Sequence, residues 1–474
     1  MHQQNNLQRP VWRLTSKERQ FLLLIGDVIV VSISLFVALY FWAQEDQWMD
    51  FSWQFLRERP PDWYFAMPLI WILFLIELYD VRRSAHKKDT IRGIAIAAAL
   101  ATSLYLIIFF FSEPKTLPRR GVAGFIAAVT ALTLMWRLLY IKVFTAPAFM
   151  RRVLIVGAGR AGSTLAEIIK GINPQPFILV GFIDDDIKKK GKTINSLPVV
   201  GNSSKLLTII ENEHISDLIF AISGEMKPEM FKAILAAEEQ GIEVTTMPVI
   251  YEDLLGRVPI FLLEDDWLVR TFFDQAHTSG INEFLKRILD LFGAVTGLLL
   301  LFIFAPLITL LILIDDGAPI LYRQIRLGEN GKRFELYKFR TMVKDAEKDG
   351  IAKLAQENDQ RITRIGKFLR RSHLDELPQF INVIRGDISL VGPRAERPEL
   401  VDQLQKKIPF YRARLFIKPG MTGWAQINYR YATNVDESAI KLEYDLFYIK
   451  NRNLILDIII IFRTMSAVVR FQGL

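Results

Sequence analysis

Hydrophobic residues gather first into runs of membrane length and later into short periodic segments. Four apolar runs open the chain, Phe21–Trp42, Trp63–Tyr79, Ile91–Phe111 and Gly121–Thr145, most of them near the roughly 20 residues that a bilayer-spanning helix needs. They predict a four-helix transmembrane domain over residues 1–147. From Arg152 the pattern becomes short apolar segments alternating with helical periodicity: Val153–Val156, a helix through Ile169, Val180–Ile183, Asp217–Ala221, a helix near Glu229–Gln240, and Glu243–Met247. That alternation predicts a Rossmann-like parallel α/β domain over 148–270. A further long apolar run, Leu285–Ile314, contains Pro306 directly after Ala305. Proline removes a backbone donor and disfavours helix in its predecessor. The run is therefore read as helix, break and helix over 271–320, re-entering on one membrane face, against the alternative of a straight fifth span. The remainder, 321–474, reads as a compact, mainly α-helical region whose apolar stretch Leu454–Phe462 is too short to cross.

Charge orients these segments. Cations precede the first run (Arg9, Arg13, Lys17, Arg19), separate the second from the third (Arg82, Arg83, Lys87, Lys88) and follow the fourth (Arg151, Arg152). By the positive-inside rule these flanks are cytoplasmic and Gln44–Asp62 is outside, with Arg119 and Arg120 running against the pattern. The first run is long and no small-residue cleavage pattern follows it, so no cleaved signal peptide is expected. At 474 residues, 51% hydrophobic and net charge +8, the chain suits anionic headgroups and phosphorylated substrates, and its membrane segments favour these over nucleic acid. With no cysteine, disulfides, thiolate zinc sites and a cysteine nucleophile are excluded.

Candidate chemistry concentrates late in the chain. Arg361, Arg364, Lys367, Arg370 and Arg371 precede Asp375-Glu376-Leu377-Pro378-Gln379, and Gly386-Asp387-Ile388-Ser389-Leu390-Val391-Gly392-Pro393-Arg394 follows. Adjacent carboxylates behind a group of cations suit phosphoryl transfer: the cations hold phosphate oxygens while one carboxylate attacks or binds metal. Proline is tolerated in a helix's first turn, so Pro378 places Asp375 at the helix cap, ionised by the positive helix end and the arginines. Glu376 is then the candidate ligand for Mg2+, which takes one or two carboxylates plus substrate phosphates. Arg370 is the first candidate for clamping phosphates, with Arg394, Lys338 and Arg340 behind it. The competing reading is a capped surface helix with solvated charges.

The elements Lys338-Phe339-Arg340, Asp375 to Gln379, Gly386 to Arg394 and Lys418-Pro419-Gly420 together resemble the bacterial sugar transferase family, the monotopic polyprenyl-phosphate glycosyl-1-phosphate transferases. The four-span start and the middle domain with Gly181-Phe182-Ile183-Asp184-Asp185-Asp186 resemble the long-form members that begin exopolysaccharide and O-antigen assembly. The resemblance implies a bacterial inner-membrane enzyme with its catalytic domain on the cytoplasmic face, and a two-step reaction. Asp375 attacks the β-phosphate of a UDP-sugar and expels UMP. Undecaprenyl phosphate then takes the sugar phosphate, giving undecaprenyl-diphospho-sugar. Glu376 matches the family's magnesium ligand and Arg370 its phosphate arginine. The family's re-entrant helix breaks at Ser-Pro where this chain has Ala305-Pro306.

Elsewhere, Gly157-Ala158-Gly159-Arg160-Ala161-Gly162 follows the first predicted strand, with Asp184 ending the next. Gly157, Gly159, Gly162 and Asp184 either bind a nucleotide diphosphate and ribose or serve a retained scaffold. The first reading supports an alternative function, a membrane-anchored NAD-dependent enzyme acting on a UDP-sugar, and a further one, a nucleotide-sensing regulator. Tyr-x-x-x-Lys is absent, which counts against a short-chain dehydratase. Gly191-Lys192-Thr193 lacks the first glycine of a P-loop and is assigned to a turn, and Asp184-Asp185-Asp186 to a strand end followed by a turn. A homodimer is the expectation for a membrane domain of this size, and the sugar is not legible.

Overall fold

The computed structural model describes residues 16–44, 49–79, 84–111, 119–144, 150–222, 224–262, 280–344, 361–429 and 434–469. Arg9, Arg13, Arg82 and Arg83, counted above among the cytoplasmic flanks, lie outside them. The chain forms two compact units, Met1–Thr245 and Thr246–Leu474.

The first unit begins with α1 (Ser16–Gln44) and includes α2 (Trp53–Glu58), α3 (Met67–Phe74), α4 (Lys87–Phe111) and α5 (Arg119–Phe144). By length and composition α1, α4 and α5 are long and apolar enough to cross a bilayer. Where a second span is expected, Trp63–Tyr79 is divided among a 3-10 turn (Asp62–Ala66), α3 and a second 3-10 turn (Ile76–Tyr79), shorter in α-helix than the other three. Leu75 leaves helical geometry between the last two, at φ −85° and ψ 3°. Tyr64, Trp71, Leu75 and Leu78 are buried inside the bundle. The same segment leaves Trp63, Phe65 and Leu69 exposed, so one side of it packs in the bundle and the other carries apolar surface outward. Arg137 of α5 pairs with Asp27 of α1 and donates to the Leu78 carbonyl, so one buried guanidinium ties the three segments together.

The α/β part follows the alternation closely: β1 (Arg151–Val156), α6 (Arg160–Gly171), β2 (Phe177–Ile183), β3 (Thr193–Ile194), β4 (Leu197–Gly201), α7 (Leu206–Asn212), β5 (Asp217–Phe220), α8 (Pro228–Glu239) and β6 (Glu243–Thr246). The sheet order is β3-β4-β2-β1-β5-β6. β1 is parallel to β2 and β5, β2 is parallel to β4, and β3 returns antiparallel on β4. The hairpin β3–β4 turns through Asn195 and Ser196, both at positive φ.

The second unit starts with α9 (Met247–Leu255), which the sequence pattern assigns to the α/β domain. Its surroundings move that boundary from 270 to 246. Tyr251 donates to Glu443, Lys450 donates to both Glu252 oxygens, and Trp424 Nε1 donates to the Gly256 carbonyl at 2.7 Å. Val258 and Ile260 enter the core of this unit. Periodicity alone does not tell which core receives an amphipathic helix.

The remaining elements are α10 (Gly280–Asp316), β7 (Leu321–Leu327), β8 (Arg333–Phe339), α11 (Arg364–Ser372), α12 (Gln379–Arg385), β9 (Ser389–Val391), α13 (Pro398–Leu404), β10 (Gly420–Thr422), α14 (Trp424–Asn428), α15 (Val435–Asn451) and α16 (Leu454–Val469). At Ala305-Pro306, where a break is expected, the helical assignment of α10 runs on with Pro306 inside it. Proline forfeits one bond to the carbonyl four residues back. Leu301 and Ala305 before it, and Ile308 and Ile312 after it, pack on the same cluster of Phe339, Leu369 and Leu377, which holds the two halves together.

One side of α10 is fixed to the domain along its length. Lys286 reaches Asp457 at 2.8 Å, and Arg287 donates to the carbonyls of Val383 and Ile384. Asp290 accepts from Ser389 Oγ and the Leu390 amide, both at 2.9 Å. A side chain at Gly297 would sit 2.3 Å from the Phe380 ring. Near the far end Asp315 accepts from the Ile365 amide at 3.0 Å. The opposite side exposes Phe292, Leu299, Phe302, Ile303, Leu307 and Ile314.

Candidate active site

Local backbone geometry presents the two acids. The Thr363 hydroxyl caps α11 by accepting from the Gly366 amide, and His373 ends the helix in the left-handed region at φ 55°. The chain then makes a 3-10 turn, Leu374–Glu376, before α12 begins after Pro378. The sequence expectation that Asp375 caps this helix is corrected. Pro378 itself occupies the cap, and Asp375 lies in the preceding turn. Its charge environment comes from side chains, not from a helix end.

The acids, adjacent in sequence, are treated very differently. Glu376 Oε1 receives Lys338 Nζ at 2.7 Å and Arg394 Nη2 at 3.0 Å. Burial alone would raise its carboxyl, but these two cations outweigh burial and hold it well below the usual carboxylate range. Asp375 is buried and accepts no hydrogen bond among the described residues. Burial, reinforced by the neighbouring Glu376 charge, pushes its carboxyl above the usual value, against the pull of Lys338, Arg370 and His373. One carboxylate is dressed and ionised; the other is desolvated and undressed.

Lys338, from the end of β8, and Arg394 therefore meet the acids. Arg370 faces Asp375 electrostatically while its Nε donates to Thr341 Oγ1 at 2.9 Å. Arg340 is placed elsewhere. Its guanidinium donates to the Asp316 and Gly317 carbonyls and pairs with the Asp316 carboxylate at 3.1 Å, closing the end of α10. The other cations of the run split by helical phase: Arg364, Lys367 and Arg371 are exposed on the outer side of α11. Ala305 and Pro306 belong to α10 and do not reach the acids.

Backbone pairing sets Arg394. β9 and β10 are parallel, the Ser389 amide donates to the Pro419 carbonyl, and the Gly420 amide to the Pro393 carbonyl at 2.9 Å. A Cβ on Gly392 would meet the Lys418 carbonyl at 2.5 Å, so the approach of the two motifs requires glycine there. A polar cleft lined by Arg326, Lys338, Gln379, Arg394 and Gly420 opens beside them.

Several contributing residues were invisible to motif reasoning. Asn382, fully buried, donates to the Glu335 carbonyl and accepts from the Tyr337 amide, fixing α12 against β8. Behind Arg394, the Glu396 carboxylate lies near Arg326, Arg414 and Lys441. Burial opposes its ionisation, but these cations prevail and its carboxyl falls to about 2. Arg414 also donates to the Arg394 carbonyl at 3.1 Å and to Asp445 at 2.8 Å. Their partners lie 20 to 45 residues away or more, and no short spacing marks them.

The resemblance implies Mg2+. Asp375 and Glu376 offer hard oxygen donors, and the second Glu376 oxygen has no hydrogen-bond partner among the described residues. Among the described residues no third His, Asp or Glu completes a metal-holding group with them. The donor set fits an ion that takes one or two carboxylates and completes its shell with phosphate oxygens and water.

The glycine-rich turn belongs to the first unit. Gly157 has φ +107° and its amide donates to the Ile183 carbonyl; a Cβ on Gly162 would lie 2.0 Å from the Gly157 carbonyl oxygen; Gly159 faces open space. Asp184 accepts from the Ala158 and Asp186 amides, both at 2.8 Å, and from Lys189 at 2.9 Å. Burial works against that carboxylate, but Lys189 and the amides outweigh it and hold it below its usual range. Both its oxygens are engaged by the loop. Asp185 accepts from the Ser203 amide and Asp186 from the Lys188 amide, as expected of a strand end and turn.

A family model for bacterial sugar transferases matches residues 281–471, and one described as a CoA-binding domain matches 75–248. The chain is 39% identical over 255 residues to a UDP-N-acetylgalactosamine-undecaprenyl-phosphate N-acetylgalactosaminephosphotransferase of Aeromonas hydrophila, covering 53% of this chain and 57% of that protein. It is 34% identical over 326 residues to the UDP-glucose:undecaprenyl-phosphate glucose-1-phosphate transferase of Escherichia coli K12, covering 66% and 67%. With the undecaprenyl-phosphate galactose phosphotransferase of Salmonella typhimurium it shares 30% identity over 432 residues, 88% of this chain and 83% of that one. With its acids and cations gathered in the matched region and relatives aligned across most of its length, the chain belongs to the bacterial sugar transferase family.

Proposed function

We propose that this transferase moves a sugar 1-phosphate from a UDP-sugar to undecaprenyl phosphate, with Asp375 as nucleophile, as the first membrane step of exopolysaccharide or O-antigen assembly. The observation that carries the assignment is the asymmetry of the acids. Glu376 is stabilised as an anion by Lys338 and Arg394, which makes it a poor nucleophile and a good electrostatic and metal-binding group. Asp375 accepts no hydrogen bond among the described residues, and a desolvated carboxylate attacks more readily once ionised.

In the first step an Asp375 oxygen bonds to the β-phosphorus, the bond from that phosphorus to the bridging oxygen breaks, and UMP leaves with that oxygen. In the second, a phosphate oxygen of the lipid attacks the same phosphorus and the Asp375 carboxylate is released. Lys338, Arg370 and Arg394 balance the charge of the diphosphate. Glu376 would hold Mg2+, which neutralises phosphate charge when bound.

The geometry of α10 supports a re-entrant, cytoplasmic-face arrangement. Both its ends attach to one folded domain while its outer side is apolar, and a helix carrying that domain along its length cannot deliver its far end across the bilayer. The relatives act on different sugars by name, which leaves the sugar to experiment. Purified membranes given a panel of radiolabelled UDP-sugars should yield lipid-extractable label and UMP, abolished by Asp375→Asn. Label transfer without UMP release, or survival of turnover in that variant, contradicts the proposal.

A further inference from the structure

Three cations of the run ahead of Asp375 have no place in the site. On α11, Arg364, Lys367, Phe368 and Arg371 stand at i, i+3, i+4 and i+7 and form one exposed stripe, with Phe368 51% exposed. The other side is fully used: Leu369 is fully buried, Gly366 packs so closely that a Cβ would lie 2.1 Å from the Thr341 carbonyl oxygen, and Arg370 Nε donates to Thr341 Oγ1. Among the described residues the side chains of Arg364, Lys367 and Arg371 have no ion pair. Phe368 thus stands exposed among three cations that have no ion pair among the described residues.

Its neighbour explains it. Leu369 and Ile365 pack on Ile308 and Ile312 of α10, and the Ile365 amide is held by Asp315. The residues of α10 flanking that contact, Leu307, Leu310 and Ile314, are themselves 56%, 54% and 75% exposed. The stripe thus continues an apolar surface of membrane character and adds positive charge at its margin. We propose that the outer face of α11 binds anionic phospholipid headgroups, with Arg364, Lys367 and Arg371 on the phosphates and Phe368 entering the acyl boundary. The proposal rests on the membrane location of α10 and not on the phosphoryl-transfer steps.

The chain has no cysteine, so a nitroxide on Phe368→Cys reports one position. The full chain is reconstituted in phosphatidylcholine bilayers with and without phosphatidylglycerol, and the label's accessibility to oxygen and to a water-soluble nickel chelate is compared. With phosphatidylglycerol the label should favour oxygen. Arg364→Gln and Lys367→Gln should shift its partition toward water by about fivefold per cation, while Arg364→Lys and Lys367→Arg should retain it. A label equally placed in both bilayers, or lost to water in the charge-conserving variants, overturns the proposal. A second label at Leu307→Cys should stay in lipid throughout; if a variant displaces it, the lipid series on the unsubstituted helix decides. A rise in donor KM in the Gln variants at fixed lipid composition would assign these cations to the donor instead and also overturn it.

Discussion

Replacing Glu443 by glutamine tests the physical account of how the segment after the α/β sheet is fastened to the catalytic unit. Glu443 is 8% exposed on its side chain; Tyr251 donates to it at 3.1 Å, the Arg257 guanidinium stands at 3.4 Å, and Ile260 supplies a backbone bond. Burial dominates, opposed by Arg257 and Tyr251, and raises the carboxyl from 4.5 to about 7. The sign follows from proton linkage. The folded state binds this proton more tightly than the unfolded state, so the site favours folding at low pH and its contribution is lost as pH rises from 4.5 to about 7. At 1.36 kcal/mol per pH unit, that interval amounts to about 3 kcal/mol. Glutamine keeps an acceptor for Tyr251 and carries no titratable proton. Unfolding midpoints of the detergent-solubilised chain, followed between about pH 5 and pH 8, should fall more steeply for the parent than for Glu443→Gln, with the variant's relative advantage growing toward high pH. Parallel curves would refute the reasoning, because they would mean that Glu443 keeps its proton affinity on folding.

Further substitutions separate roles within the site. Lys338→Met leaves Glu376 with Arg394 alone. A depressed carboxylate contributes stability above its unfolded pKa and loses it as pH falls through the folded one, so the acid limb of turnover should move to higher pH. The loss in stability should be about 3 kcal/mol, and an acid limb that stays put in the pH–rate profile counts against the arrangement. Arg340→Met should lower the thermal midpoint by the loss of about 1–3 kcal/mol while donor KM in the folded fraction is unchanged; a large KM increase would return Arg340 to the phosphates. Gly297→Ala forces a methyl against Phe380 and should cost about 1–3 kcal/mol, and an unaltered unfolding midpoint would contradict the close packing of α10 on α12.

What could be read in advance depended on the range of the interactions involved. The long apolar helices α1, α4 and α5 and the parallel strands were legible because period and length record them directly. The division of Trp63–Tyr79 into short helical pieces was not, since its even apolar composition does not mark the turns at Asp62–Ala66 and Ile76–Tyr79. The hairpin at Asn195-Ser196 escaped notice because its positive-φ turn uses no glycine. Lys338 and Arg340 looked equivalent, yet β8 ends at Phe339, and beyond it Arg340 swings to the end of α10. The phase of the cation run, by contrast, was recoverable: Arg370 lies off the stripe that Arg364, Lys367 and Arg371 share. Asp290, Asn382 and Arg414 act on partners distant in sequence, and only the fold joins them.

The central claim is that an oxygen of Asp375 carries the sugar phosphate between donor and lipid. The chain should be incubated with UDP-sugar and no acceptor, quenched, digested and examined by mass spectrometry. The account predicts a sugar-phosphate mass added to the peptide containing Asp375, with UMP released in step, and its disappearance when undecaprenyl phosphate is supplied. An unmodified peptide from a preparation whose full turnover is intact would contradict it.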